Sequence, residues 1–344
     1  MPTSLQIAQL VSETTTQITG SYQNWTSFLR SAARLYKYPF SEQLMIYAQR
    51  PDATACADFQ FWNERMYRSI RRGASGIALL DTRRDVPTLR YIFDISDTVA
   101  RRRDASQPYL WQLRPEHEEA VAAFLESSYH VPVIRSLPEQ FINIASQMAE
   151  AYWDNYQKDI LPTVEDTFLD DYDDYGVGVQ FRNAVTASVS YTLMSRCDIE
   201  TGPYFTHEDF TGVFNWNTPD AIIALGTAVS EISQTVLLQI ERTVKQYERA
   251  KRTERTSIDE SDISDKRRLS HSRSESKRNT TDSFGQIRTA AQAVSSAVPS
   301  HSMEQAASLG EAIPTFTGDR RNSEPEVNAV DVGIDGSQRR ALTV

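Results

Sequence analysis

The chain has 344 residues, with 36 Lys and Arg against 46 Asp and Glu and a formal net charge of −10. Hydrophobic residues make up 40% and charged residues 24%, the composition of a globular protein able to bury a core. The acidic balance excludes a globally basic nucleic-acid coat, but not a local basic surface on an acidic chain.

In chain order, Ser21 to Tyr36 reads as an amphipathic helix. Trp25, Phe28, Leu29, Ala32, Ala33 and Tyr36 recur at helical spacing, and Ser21 suits the N-cap. Ser41 is expected to cap a second, short helix through Gln49, ended by Pro51. Asp58 is expected to cap a third, with Phe59, Trp62 and Met66 on one side. Gly76 to Leu80 and Leu89 to Ile95 are runs of β-formers, and the polar segment Asp81 to Pro87 reads as a hairpin loop between them. Residues 1–105 are therefore expected to form an α+β domain, with N-terminal helices packed on a small antiparallel sheet.

From Pro115 the pattern is helical. Pro138 to Ile160 and Asn183 to Arg196 read as helices, and Thr218-Pro219-Asp220 opens the longest, to about Lys251. This gives a mostly α-helical region over 106–256. From 257 to 344 the chain is rich in Ser, Arg, Asp, Thr and Gln with almost no aromatics, and is expected to be a disordered tail. Its basic start, Lys266-Arg267-Arg268, reads as solvated linker. No apolar run approaches the roughly 20 residues that span a bilayer. The opening Met1-Pro2-Thr3-Ser4 lacks a signal-peptide pattern, so a cytoplasmic location without membrane partners is expected.

Catalytic signatures are sparse. The two cysteines, Cys56 and Cys197, cannot supply a zinc site alone. His117-Glu118 and His207-Glu208 each lack the second histidine of a zinc helix, and Gly73 and Gly76 are not followed by the Lys-Ser or Lys-Thr of a phosphate loop. The acidic block Glu165 to Asp174 lacks EF-hand spacing and reads as a solvated loop. With no nucleophile–base pair at catalytic spacing, a non-enzyme without cofactor or metal is expected.

The informative segment is 36–98. From Glu64 to Arg103 there are ten arginines against five acidic residues, a local reversal of charge. Arginines interleaved with aromatics suit a single-stranded nucleic acid, because guanidinium groups pair with phosphates and aromatic faces stack on any base. Arg65, Arg68 and Arg72 share a face if the helix begun at Asp58 continues that far. A structural reading of the same residues stays open: Phe59 and Trp62 as core, Gly73 and Gly76 as turn glycines, Tyr47 and Gln49 as local packing and hydrogen bonding.

The order Phe40-Ser41-x-Gln43-Leu44-Met45-Ile46-x-x-Gln49-x-Pro51-x-Ala53-Thr54, followed by Phe59, Trp62, Arg71-Arg72-Gly73, Gly76-Ile77 and the run from Ile92 to Thr98, resembles the ArdC-type antirestriction module. Such modules stand at the start of large Firmicute conjugative-element proteins with helicase-like and methyltransferase-like domains. The resemblance implies an N-terminal domain that binds single-stranded DNA. It implies phosphate contacts from Lys37, Arg65, Arg68, Arg71 and Arg72, and sugar or base contacts from Tyr47 and Gln49. It also implies close backbone approach at Gly73 and Gly76. Phe93, Asp94 and Thr98 are expected to hold a strand end, with Asp94 accepting from neighbouring arginines. Two departures stand out. Glu42 occupies a position where the family often has Asn, and the zinc-peptidase-like second domain with its H-E-x-x-H helix is missing, which leaves 106–256 as a candidate eroded relative of it.

The expected function is a non-catalytic single-stranded-DNA-binding protein of a conjugative or other mobile element, related to antirestriction or DNA transfer. The alternative is an interaction module that docks a relaxase, helicase or restriction enzyme through its acidic helical region. The two differ in whether the arginines line one surface or pair off with Asp81, Asp94 and Asp97.

Overall fold

The computed structural model describes residues 3–81, 88–101, 108–132 and 135–275, with side chains through Thr253. The fold is α+β, as expected. Helices α1 (Ser4–Ile18), α2 (Tyr22–Arg34) and α3 (Phe40–Gln49) precede five short strands: β1 (Cys56–Asp58), β2 (Arg68–Ile70), β3 (Ile77–Asp81), β4 (Thr88–Asp94) and β5 (Thr98–Ala100). Four further helices follow: α4 (Pro115–Tyr129), α5 (Leu137–Ile160), α6 (Asp174–Arg196) and α7 (Pro219–Glu275). The expected hairpin loop 82–87 lies outside the described residues, but the strands it joins pair antiparallel from Asp81↔Thr88 to Ile77↔Ile92.

Local chemistry explains the ends. Thr3 and Gln6 form a reciprocal capping box on α1, and Ser21 caps α2 by accepting from the Asn24 amide. Ser41 does not cap α3. The helix starts two residues earlier than that cap implies, at Phe40, with Pro39 at the N-cap and no side-chain cap. Asp58 does accept from the Phe61 amide, at 2.6 Å, but the helix it starts is one π-helical turn, Phe61–Arg65. Helix α7 also departs from expectation. Its backbone stays helical to Glu275, past the point where the disordered tail was expected to begin, and 276–344 lie outside the described residues.

Two apolar clusters hold the fold. The larger joins Trp25, Phe28, Leu29, Phe40 and Leu44 to buried residues of α4 to α7, among them Phe141, Phe181, Leu225 and Ile240. It is therefore continuous across residue 105. Trp25 fits it without a polar orphan, because its indole N–H donates to the Ser188 hydroxyl at 3.0 Å. Helices α3 and α7 approach closely at Gly226, where a β-carbon would lie 2.1 Å from the Phe40 ring. The apolar character of α7 is used in this cluster. By length and composition Pro219–Thr253 is apolar enough to cross a membrane, and 61% of its most apolar window is buried in the protein.

The smaller cluster lies under the sheet β1-β4-β3, where Ile7, Met45 and Ile46 cover Ile77, Leu79 and Ile92. Helix α3 thus feeds both clusters, with Phe40 and Leu44 on one side and Met45 and Ile46 on the other. Strand β3 is an edge, and its unpaired backbone is covered by Gln49. The Gln49 amide donates to the Ala78 carbonyl and accepts from the Ala78 N–H, both at 2.8 Å, as a neighbouring strand would.

Because Q49L would leave both Ala78 groups without partners, it is expected to cost about 2–4 kcal/mol, read as an earlier urea midpoint. An unchanged midpoint would show that this clamp does not hold the edge.

Candidate nucleic-acid interface

The chain leaves the π-helical turn through Tyr67, whose φ of 51° redirects it into β2. Arg65, Arg68 and Arg72 therefore share no helix face. Strands β2 and β5 form a separate two-stranded antiparallel ribbon, Arg68↔Ala100 to Ile70↔Thr98. Alternation in the ribbon sorts the side chains. Arg68 and Thr98 fall on the inner face. There Arg68 is 7% exposed, and its guanidinium donates to the Thr98 hydroxyl at 2.6 Å. Its Nη1 has no hydrogen-bond partner, and no carboxylate pairs with it among the described residues. Tyr67, Ser69, Arg71, Val99 and Arg101 fall on the outer face, and all but Ser69 are exposed. Arg101 is braced by the Ser69 hydroxyl at 2.6 Å, and its amide donates to the Tyr67 carbonyl at 3.0 Å. Arg71 is tied through its amide to the Asp97 carbonyl at 2.7 Å. Arg65 and Arg72 flank the ribbon, exposed and without ion pairs among the described residues.

The remaining expected contacts fall elsewhere. Lys37 is not on the ribbon and is ion-paired with Glu241 at 2.8 Å. Tyr47 is half-buried with its ring edge-on to Phe28 at 5.5 Å. Gln49 is occupied by Ala78. Gly73 supplies a φ of +87° in an exposed turn, so any side chain would be strained there. Gly76 lies under the Phe93 ring, 3.2 Å from where its β-carbon would be, so the close approach is to a side chain of its own sheet. Glu42 pairs with Arg90 of β4 at 2.5 Å.

Asp94 holds the strand end, but not by accepting from arginines among the described residues. Its carboxylate is 2% exposed and accepts from the Thr54 and Ala55 amides at 2.7 and 2.9 Å and from the Ser96 amide and hydroxyl at 3.0 and 2.7 Å. Burial alone would push its pKa up. The hydrogen bonds from Ser96, Thr54 and Ala55 outweigh burial and hold it below the ordinary value. The arginine that does pair in this corner is Arg50, which binds the Asp97 carboxylate and the Ser96 hydroxyl.

The structure also contains a cleft that the sequence pattern did not indicate. A cavity of about 240 Å³ lies between the β1 side of the sheet and the helical region. Its floor is Tyr36, Trp111, Arg196 and Glu241, and its rim carries Phe61 and Tyr109. Glu241 accepts from the Tyr36 hydroxyl at 2.5 Å, from Lys37 at 2.8 Å and from Lys245 at 2.6 Å. The Tyr36 hydroxyl in turn accepts from the Trp111 indole at 3.0 Å, and the Arg196 guanidinium lies 3.7 Å from the centre of the Trp111 ring. Burial raises the Glu241 pKa, but the bonds from Lys245, Lys37 and Tyr36 overcome it and bring the value to about 2. Cys56 also lines the cleft. Burial, reinforced by Asp94, pushes its thiol up to about 12, so no reactive thiolate forms there near neutral pH.

Glu241's lowered pKa means that its stabilisation is complete above the ordinary value of 4.5 and is lost as pH falls toward about 2. E241Q is accordingly expected to be less stable at pH 7 and to lose less further stability across that acid window than the parent. Thermal melts across pH check this, and parallel curves for the two proteins would contradict it.

Compared with known proteins, the chain matches no family model, no curated sequence and no solved structure.

Proposed function

We propose that this chain binds single-stranded DNA without catalysing a reaction on it, through the outer face of the β2–β5 ribbon with Arg65 and Arg72 beside it. The observation that carries this reading is the ribbon face itself: Arg71 and Arg101 exposed beside Tyr67, within a chain of net charge −10. Guanidinium groups next to an aromatic face suit a flexible phosphate backbone with unstacked bases. The buried charge of Arg68, with no carboxylate partner among the described residues, lies behind this face and adds to its positive potential. The resemblance to ArdC-type modules points the same way and supplies the setting: a cytoplasmic protein of a conjugative or other mobile element, acting in DNA transfer or antirestriction.

A second reading has its own observation. Phe168 and Tyr175 are 70% and 75% exposed, and they stand among Glu165, Asp166, Asp170, Asp171, Asp173 and Asp174. An apolar surface ringed by carboxylates suits a basic protein partner, such as a relaxase, helicase or restriction enzyme.

Fluorescence anisotropy of the full chain with labelled single- and double-stranded oligonucleotides, over a salt series, separates the readings. Single strands are expected to bind more tightly, with log affinity falling against log salt. R71E and R101E are each expected to weaken single-strand binding about tenfold and to lower the salt slope by about 0.7 for each phosphate no longer neutralised. Parent-like affinity in both variants would overturn the assignment of the ribbon.

A further inference from the structure

The cleft beside Trp111 is not accounted for by a ribbon that tracks phosphates. Its lining carries three cations, Arg34, Lys37 and Arg196, against one carboxylate, Glu241. That carboxylate is already engaged by Tyr36, Lys37 and Lys245. Arg196 is different. It donates once, from Nη2 to the Trp111 carbonyl at 2.8 Å, and pairs with no carboxylate among the described residues. Its remaining N–H groups belong to a half-buried guanidinium at the floor of the cavity. Burial lowers its pKa, which marks a charge held in a poorly solvated place. A half-buried cation with no directly paired carboxylate among the described residues, sharing its nearest one, Glu241, with Tyr36, Lys37 and Lys245 under a cavity with an aromatic rim, fits an anionic planar ligand.

We infer that this cleft receives one nucleotide. Its base packs between the exposed rim rings of Phe61 and Tyr109 and over the Trp111–Arg196 floor, and its phosphate meets the cationic side of the lining at Lys37 and Arg196. The size agrees. About 240 Å³ is below the roughly 300–1,000 Å³ of pockets that enclose drug-sized ligands, so the cleft holds the base while the sugar lies at its mouth. The position agrees as well, because Phe61 opens the same π-helical turn that ends at Arg65, beside the ribbon. The inference rests on the single-stranded-DNA reading: a strand lying along the ribbon would place one nucleotide in the cleft. Aromatic contact there would be tolerant of base identity, with discrimination coming only from groups on the floor.

The test uses the full chain, titrated with dAMP, with deoxyadenosine and with inorganic phosphate, and followed by ligand-observed NMR. dAMP is expected to bind at least tenfold more tightly than either fragment. F61A, at the exposed rim, and R196Q, at the floor, are each expected to weaken dAMP at least fivefold. F61A carries the test if R196Q does not fold. If oligonucleotides bind and dAMP does not, or if F61A binds dAMP as the parent does, the cleft is not a nucleotide pocket and the ribbon reading stands. If neither dAMP nor any oligonucleotide binds, both readings fall.

Discussion

A carboxylate in α7, Glu241, is the buried ionic tie within the continuous core that joins the N-terminal helices to α4–α7. It accepts from Tyr36 and Lys37 at the corner between α2 and α3, and from Lys245 one turn along its own helix. A carboxylate buried this far is costly without compensation, and three donors supply it. The consequences extend beyond the pair. Fixing the Tyr36 hydroxyl orients it to accept from Trp111, and Trp111 then provides the ring on which Arg196 lies. The cleft floor is therefore a chain of dependent contacts, each member positioned by the one before it. Without Glu241, Lys37 loses its ion pair, and the corner keeps only the Ser230 and Gln234 bonds to the Tyr38 and Lys37 carbonyls and its apolar packing as ties to α7.

Charge is distributed unevenly on this frame. The acidic excess of the chain includes the turn that leads into α6, while the ribbon and its flanks carry arginines. Two carboxylates beside β5 are already engaged. Asp94 is filled by backbone amides and Ser96, and Asp97 is matched by Arg50. Arg71 and Arg101 meet backbone carbonyl and hydroxyl groups instead, which orient a guanidinium without cancelling its charge. A positive face on an acidic protein follows from this arrangement.

The amount legible from sequence differs by element for physical reasons. The stripe from Trp25 to Tyr36 is readable because a helix repeats its buried face every three or four residues, and every member of it is buried. The pair β3 and β4 is readable from its β-formers. Helix α1 escapes the periodic reading although Thr3 and Gln6 carry a capping-box spacing, and three-residue strands such as β1, β2 and β5 are too short to show a period. The arginine pattern misleads because helical spacing does not extend through Tyr67, where a left-handed residue ends the turn. Several residues that carry the ArdC resemblance, Gln49, Asp94 and Thr98 among them, brace the sheet and ribbon. The cleft lies beyond reach of any local pattern. Tyr36 meets Trp111 across 75 positions and Glu241 across 205, and only packing brings them together.

Hydrogen–deuterium exchange of the full chain, with and without a saturating oligothymidine, tests the proposed strand path most directly. Slower exchange confined to β2, β5, the turn 61–67 and the cleft segments 54–57 and 109–111 is the predicted result, because those backbones lie under that path. Protection at 165–175 with an unchanged ribbon, or no protection anywhere, would contradict it.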